Sequence, residues 1–233
     1  MIFVLLALAL FLRIYNLPQN FNFNGELGDN YLVMKDIWES GRVPLLGPAT
    51  SHPWLSFGPA FYWIFTPILA LGKFDPLFMG YVMAVISTSV VLLNFLFVRK
   101  FFNEKAALIS SFLIAVAPQF IEMSRAGRFF SLVVVLVYPF LYFLFSKKLF
   151  WTFFFFGLML NFHYAPLILL PPSLIYLYLN RKRISKNNYI AGLLGFIIPS
   201  LPLLLYGFSN NFEMLGKLII WFPYRIGRTF GWY

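Results

Sequence analysis

Glu26 and Asp29 stand three residues apart in FNFNGELGDN (21–30), just after an apolar N-terminal run. Carboxylates in a polar turn against a bilayer are where an ion, a phosphate or a sugar would be met. Gly25 and Gly28 flank Glu26 and would let the backbone of that turn come close to a ligand. Arg125 and Arg128, in IEMSRAGRFF (121–130), carry planar guanidinium forks that match phosphate oxygens, so a lipid phosphate is their natural partner. The plainer role for each is an interfacial arginine reaching the headgroups. His163, in LNFHYAP, would bind phosphate or ligate a metal if functional, and is otherwise a hydrogen-bonded packing residue.

The elements that must position these groups are membrane helices. Of 233 residues, 61% are hydrophobic and only 11% are charged, against about 25% charged in soluble domains. Apolar runs recur that are long enough to cross a hydrocarbon core about 30 Å thick. There is no cysteine, which excludes disulfides and thiolate chemistry. A net charge of +10 would suggest nucleic acid in a soluble chain, but here it follows from lysine and arginine that set topology. The expected class is therefore an all-α polytopic membrane protein, with membrane lipids as partners and no nucleic acid. The run MIFVLLALALFLRIY lacks a basic region before it and a small-residue cleavage site after it, so it reads as a retained first helix.

Seven spans are expected, over about 1–15, 76–98, 106–121, 129–146, 149–164, 165–180 and 189–206. Three basic loops, RKFFNEK (99–105), SKK (146–148) and RKRISKNN (181–188), hold nine of the eighteen Lys and Arg residues. All three fall on the cytoplasmic side only if the N-terminus is inside and residues 16–75 form an outer loop. The apolar stretch 57–73, with Pro59 and Pro67, must then be a shallow or re-entrant piece on the outer face. Seven of the eight acids face outward in this scheme, and only Glu104 lies inside.

Within the outer loop, residues 29–40 have helical spacing, with Tyr31, Met34, Ile37 and Trp38 as the apolar face. Asp29 or Asn30 would cap its start and Gly41 would end it. Asp36 and Glu39 read as solvating charges, His52 as a solvated loop residue, and the tail (Lys217, Arg225 and Arg228 among Trp221, Phe222, Tyr224 and Trp232) as an interfacial belt. No Walker loop, dinucleotide fingerprint, HExxH or nucleophile elbow is present.

Four ordered stretches resemble the GT-C superfamily of membrane glycosyltransferases, and within it the branch of protein O-mannosyltransferases and lipid A aminoarabinose transferases. They are FLRIYNLP with FNGELGDN, GRVPLLGPATS with SFGPAFYWIFTPILALG, APQFIEMSRAGRFFSL, and GLMLNFHYAPLILLPP. The resemblance implies a core of about seven helices with juxtamembrane helices in a long first outer loop. It implies transfer of a sugar from a polyprenyl-phosphate carrier to a glycan, lipid or protein acceptor on the non-cytoplasmic face of the plasma membrane, with inversion. The family's acidic position falls on Glu26, or else on Asp29, although relatives often pair Asp with Glu or Gln where this chain has Gly25-Glu26. Glu26 would be the general base, Asp29 would orient the sugar, and Arg125, Arg128 and His163 would hold the leaving phosphate. The resemblance fixes no cofactor, and a divalent metal is left open. Relatives with a second acid in the Ser-Arg loop have it near Phe129 or Phe130 of this chain, which weakens the case for a metal bridge. Two other readings remain: a transporter or lipid flippase, and a non-catalytic membrane subunit. Charges gathered at one face, with few in mid-span, favour interfacial chemistry over passage.

Overall fold

A computed structural model describes residues 1–126, 131–229 and 231. Regular structure among them is helical apart from one isolated antiparallel bridge, Ala49–Ser56. The all-α membrane class is as expected. α1 (Ile2–Ile14), a short α2 (Leu17–Asn20), α3 (Gly25–Ser40) and α4 (Ala60–Leu71) precede the long α5 (Pro76–Phe101). Then follow α6 (Glu104–Val116), α7 (Pro118–Arg125), α8 (Ser131–Phe145), α9 (Leu149–Leu160), α10 (Leu170–Leu179), α11 (Lys186–Ser209) and α12 (Glu213–Thr229).

Local chemistry explains the boundaries. Asp75 caps α5 by accepting from the Leu77 amide, with Pro76 in the first turn, and Asn103 caps α6 by accepting from the Ala106 amide. Pro118 has no amide proton to continue α6, so the chain bends by 54° into α7.

Every expected span coincides with a helix or a broken helix, but their lengths differ from expectation. Among the described residues, only α5 and α11 are each long and apolar enough to cross a membrane, with the bent α6–α7 pair as a third. α1 and α9 have 13 and 12 residues, which at 1.5 Å per residue is about 18–20 Å, short of a 30 Å core. α4 is also short, at 12 residues, and buries Phe61, Tyr62, Phe65 and Leu69 rather than lying loosely on a surface.

Two large clusters and a smaller one of Ala9, Val91 and Ala115 form the interior among the described residues. The first gathers Leu27, Tyr31 and Met34 of α3, Phe61 and Phe65 of α4, and Met79 and Met83 of α5, together with Phe57 and Phe162. The second joins Phe140 and Leu144 of α8 to Leu149, Phe156 and Met159 of α9 and Leu177 of α10. α9 and α11 approach so closely that a Cβ at Gly195 would overlap the Phe150 carbonyl, and only glycine fits there.

α3 starts earlier than its spacing predicts. Asn24, not Asp29 or Asn30, is the cap, accepting from the Leu27 amide at 3.0 Å. Gly25 and Gly28 therefore lie inside the helix and not in an open turn, and Gly28 faces the Phe23 ring. The cap and the burial of Leu27 outweigh the poor helix propensity of two glycines. The buried face runs Leu27, Tyr31, Met34, while Trp38 is 54% exposed and does not belong to it.

Candidate functional site

Glu26 and Asp29 project from the first turns of α3, both exposed, and neither makes an ion pair among the described residues. Behind them, the Tyr62 hydroxyl donates to Asn30 Oδ1 at 2.7 Å, and Asn30 Nδ2 donates to the Glu26 carbonyl at 2.8 Å. Burial pushes the Tyr62 hydroxyl up to about 12, so it stays a donor at neutral pH. A relay from α4 thus fixes the backbone of the residue whose carboxylate is exposed. Neither Tyr62 nor the true role of Asn30 was anticipated, because both depend on contact between helices far apart in sequence.

Arg125 lies at the end of α7 but spends much of its fork on protein. Its Nη2 donates to the carbonyls of Leu12 (2.7 Å) and Tyr15 (3.0 Å), and its Nε to that of Arg13 at 3.4 Å. These carbonyls belong to the last turn of α1, which has no helical partners left for them. Its remaining nitrogen, Nη1, has no partner among the described residues. The Asn22 amide donates to the Arg125 carbonyl at 3.3 Å, tying the lead-in to α3 to the end of α7. Arg128 lies outside the described residues, as do Phe129 and Phe130.

Arg13 is a further arginine that sequence reasoning passed over. It is fully buried, donating to Ser87 Oγ (3.1 Å) on α5, the Ala115 carbonyl (3.1 Å) at the end of α6 and the Ala9 carbonyl (3.0 Å) of its own helix. An arginine inside FLRIY was the available signal.

His163 follows α9 in a short connection. Its Nδ1 accepts the Ala165 amide at 2.9 Å, and its ring stacks on Phe57 at 5.4 Å. Partial burial lowers its pKa, which favours the neutral ring. With Nδ1 acting as acceptor, the neutral ring carries its proton on Nε2. Phe57 belongs to the same cluster as Leu27 and Tyr31, so one apolar floor supports both α3 and His163. The loop bearing Phe57 is pinned across the end of α9. Tyr164 donates to the Ser56 carbonyl at 2.7 Å, and a Cβ at Gly58 would collide with the Asn161 side chain.

Two other expectations change. His52 is not a free loop residue: it is half-buried, stacked on Trp54 at 5.7 Å and against Trp221 at 4.9 Å. Trp221 therefore packs onto the first loop, while Arg225 and Arg228 of α12 remain exposed, and Trp232 lies outside the described residues. No group of three His, Asp or Glu side chains converges as a metal set among the described residues.

Residues 51–206, about two thirds of the chain, match the family model for dolichyl-phosphate-mannose-protein mannosyltransferase. The chain belongs to that family. It is thus a membrane protein of GT-C glycosyltransferase type, as the four motifs suggested. No curated protein and no solved structure gives a significant match. The mannosyltransferase match includes Arg125 and His163, while Glu26 and Asp29 precede its first residue.

Proposed function

We propose that this chain transfers a sugar from a polyprenyl-phosphate carrier to an acceptor hydroxyl at the non-cytoplasmic face of the plasma membrane, with inversion. The seven-crossing arrangement with an inward N-terminus is part of this reading, since it puts α3, the end of α7 and His163 on one side. The observation that carries it is the pair of exposed carboxylates, Glu26 and Asp29, on a helix whose lead-in is bonded to the end of the Ser-Arg segment.

Glu26 takes the proton from the acceptor hydroxyl as that oxygen forms its bond to the anomeric carbon, which requires approach to about 3 Å. The bond between the anomeric carbon and the phosphate oxygen breaks, and the electron pair leaves with the polyprenyl phosphate. Asp29, one turn along the same face, orients the sugar. The Nη1 donors of Arg125, the fork of Arg128 and Nε2–H of His163 receive the leaving phosphate, a task suited to fixed donors. Arg125 has a second duty in this scheme, because its bonds to α1 hold the guanidinium in place before any donor arrives. A carrier that reaches the site through the bilayer accounts for a transferase without a nucleotide-binding motif.

The test is transfer from a panel of radiolabelled polyprenyl-phosphate sugars by the protein in liposomes, compared with Glu26→Gln and Asp36→Asn. Collapse in the first variant alone is expected. Full activity without Glu26 would remove it as the base. No transfer or hydrolysis with any donor, from folded protein, would overturn the enzyme reading. Substrate crossing sealed vesicles unchanged in Glu26→Gln would replace it with transport.

A further inference from the structure

Two adjoining spaces lie where α12 folds back beside α11. The first is an apolar groove of about 260 Å³ among α9, α11 and α12, walled by Leu160, Phe196, Leu203, Leu204, Leu215 and Leu218. The second is a chamber of about 180 Å³ whose walls include Trp54, Ser56 and Lys217. Tyr206, Asn210, Glu213 and Met214 line both, so the groove runs into the chamber. The turn that builds this junction holds Asn211 and Phe212 at φ of 51° and 53°, a left-handed conformation that costs non-glycine residues energy and persists only when packing imposes it.

An apolar trough ending in a polar chamber suits an amphiphile, and the chamber's electrostatics select among head groups. Its lysine is already engaged: Lys217 Nζ lies 2.5 Å from Glu213 Oε1. That contact holds the Glu213 carboxyl below the usual carboxylate range, so the pair is a neutral unit at pH 7. A phosphate head would face Glu213 and find no uncompensated cation on these walls, whereas phosphate sites are built from cations that remain available. An uncharged, hydroxyl-rich head can donate to Glu213 and accept from Lys217 and Asn210. The rings of Trp54, His52 and Trp221 stand together beside it, Trp54 and His52 parallel to within 4°. Flat aromatic faces of this kind take the apolar C–H face of a sugar ring.

We infer that this groove and chamber bind a neutral glycolipid, its aliphatic chain along α11 and its sugar head against Trp54, and that this lipid is the acceptor. The assignment rests on the sugar-transfer reading and names the acceptor class for it. The chain trace supports the link to that site: Leu55 lines the groove, Ser56 lines the chamber, and Phe57 stacks on His163. Three consecutive residues connect the lipid's head to the phosphate end of the proposed centre.

The test is photo-crosslinking of the whole protein in phosphatidylcholine nanodiscs with an alkyl glucoside carrying a diazirine on its chain. Saturable labelling within residues 157–218 is expected. Unlabelled alkyl glucoside should compete about tenfold better than alkyl phosphate of equal chain length, a preference set by the head group alone. Leu204→Trp, which fills the groove, and Trp54→Ala, which removes the platform without adding bulk, should each weaken labelling about fivefold or more. Glu213→Gln frees the charge of Lys217 and should bring the alkyl phosphate to parity. Equal or better competition by alkyl phosphate in the unaltered protein would overturn the inference in favour of the carrier lipid. Labelling that does not saturate and ignores both variants would overturn it in favour of bulk lipid. Because labelling is read without turnover, absent transfer with intact labelling would overturn the enzyme reading and the acceptor role while upholding the glycolipid site. Lost labelling with transfer to other acceptors intact would count against the glycolipid alone.

Discussion

The two halves of α3 carry two carboxylates each, and they differ in what faces them. Near its C-terminus, Asp36 is bonded to Arg42 and Glu39 lies 3.8 Å from Lys35, all four well exposed. Near its N-terminus, Glu26 and Asp29 are also exposed, yet no cation among the described residues pairs with either. Instead, the protein bonds the backbone behind Glu26 through Asn30 and Tyr62. One end of the helix has its charges neutralised, while the other is held rigid with its charges available. On the proposed mechanism, that is the difference between a solvated surface and a poised site, drawn within one helix.

The largest expected effect breaks the comparison outright. Glu26→Gln should lower sugar transfer by about 10²–10⁴-fold, the usual contribution of a positioned base, with thermal stability changed little, since the carboxylate has no partner to lose. Equal activity in Glu26→Gln and Asp36→Asn would erase the distinction between the two ends. Arg125→Ala sharpens it from the other side. Removing charge-assisted bonds to the last carbonyls of α1 should cost about 1.5–3 kcal/mol, visible as earlier unfolding in detergent, as well as slower transfer.

Tyr62→Phe takes away the donor to Asn30 and should cost about 1 kcal/mol. It should also slow transfer by loosening Glu26, whereas a purely structural bond would leave turnover per folded molecule unchanged. The smallest effect is expected of Asp36→Asn, at most about 1 kcal/mol for an exposed ion pair, with transfer unaltered.

A pH series adds His163 to the comparison. Its folded pKa is lowered by burial, so below its ordinary value of about 6.5 the unfolded chain takes up the proton more readily. Stability should be complete above that pH and fall as pH drops toward the folded pKa. His163→Gln should flatten this part of the profile when unfolding midpoints are followed between neutral and mildly acidic buffer.

Much of the frame was legible from hydropathy, because bilayer thickness and helix rise leave few alternatives for long apolar runs. Gly41 acts locally and was read in place, whereas the equally local caps Asp75 and Asn103 were passed over. The start of α3 was misplaced because Gly25 and Gly28 look like turn residues until Leu27 is seen buried. Arg125 looked available because backbone carbonyls have no signature in a sequence, and its partners sit on α1. His52 looked solvated for the same reason: Trp221 reaches it only when α12 folds back. Spacing reveals what a residue offers along its own helix, whereas the partners that decide its role often come from another.

Arg13 has a consequence for how the protein is made. Arg13 stands in the last turn of α1, where the guanidinium of a lone membrane helix must either reach the interface or find partners. Two of the carbonyls that satisfy it, Ile114 and Ala115, lie about a hundred residues further along the chain. During synthesis α1 emerges before α5 and α6, and until they follow it has only its own Ala9 carbonyl to offer that guanidinium. The first helix must therefore linger at the translocation machinery, or keep Arg13 hydrated at an interface, until the sixth is made.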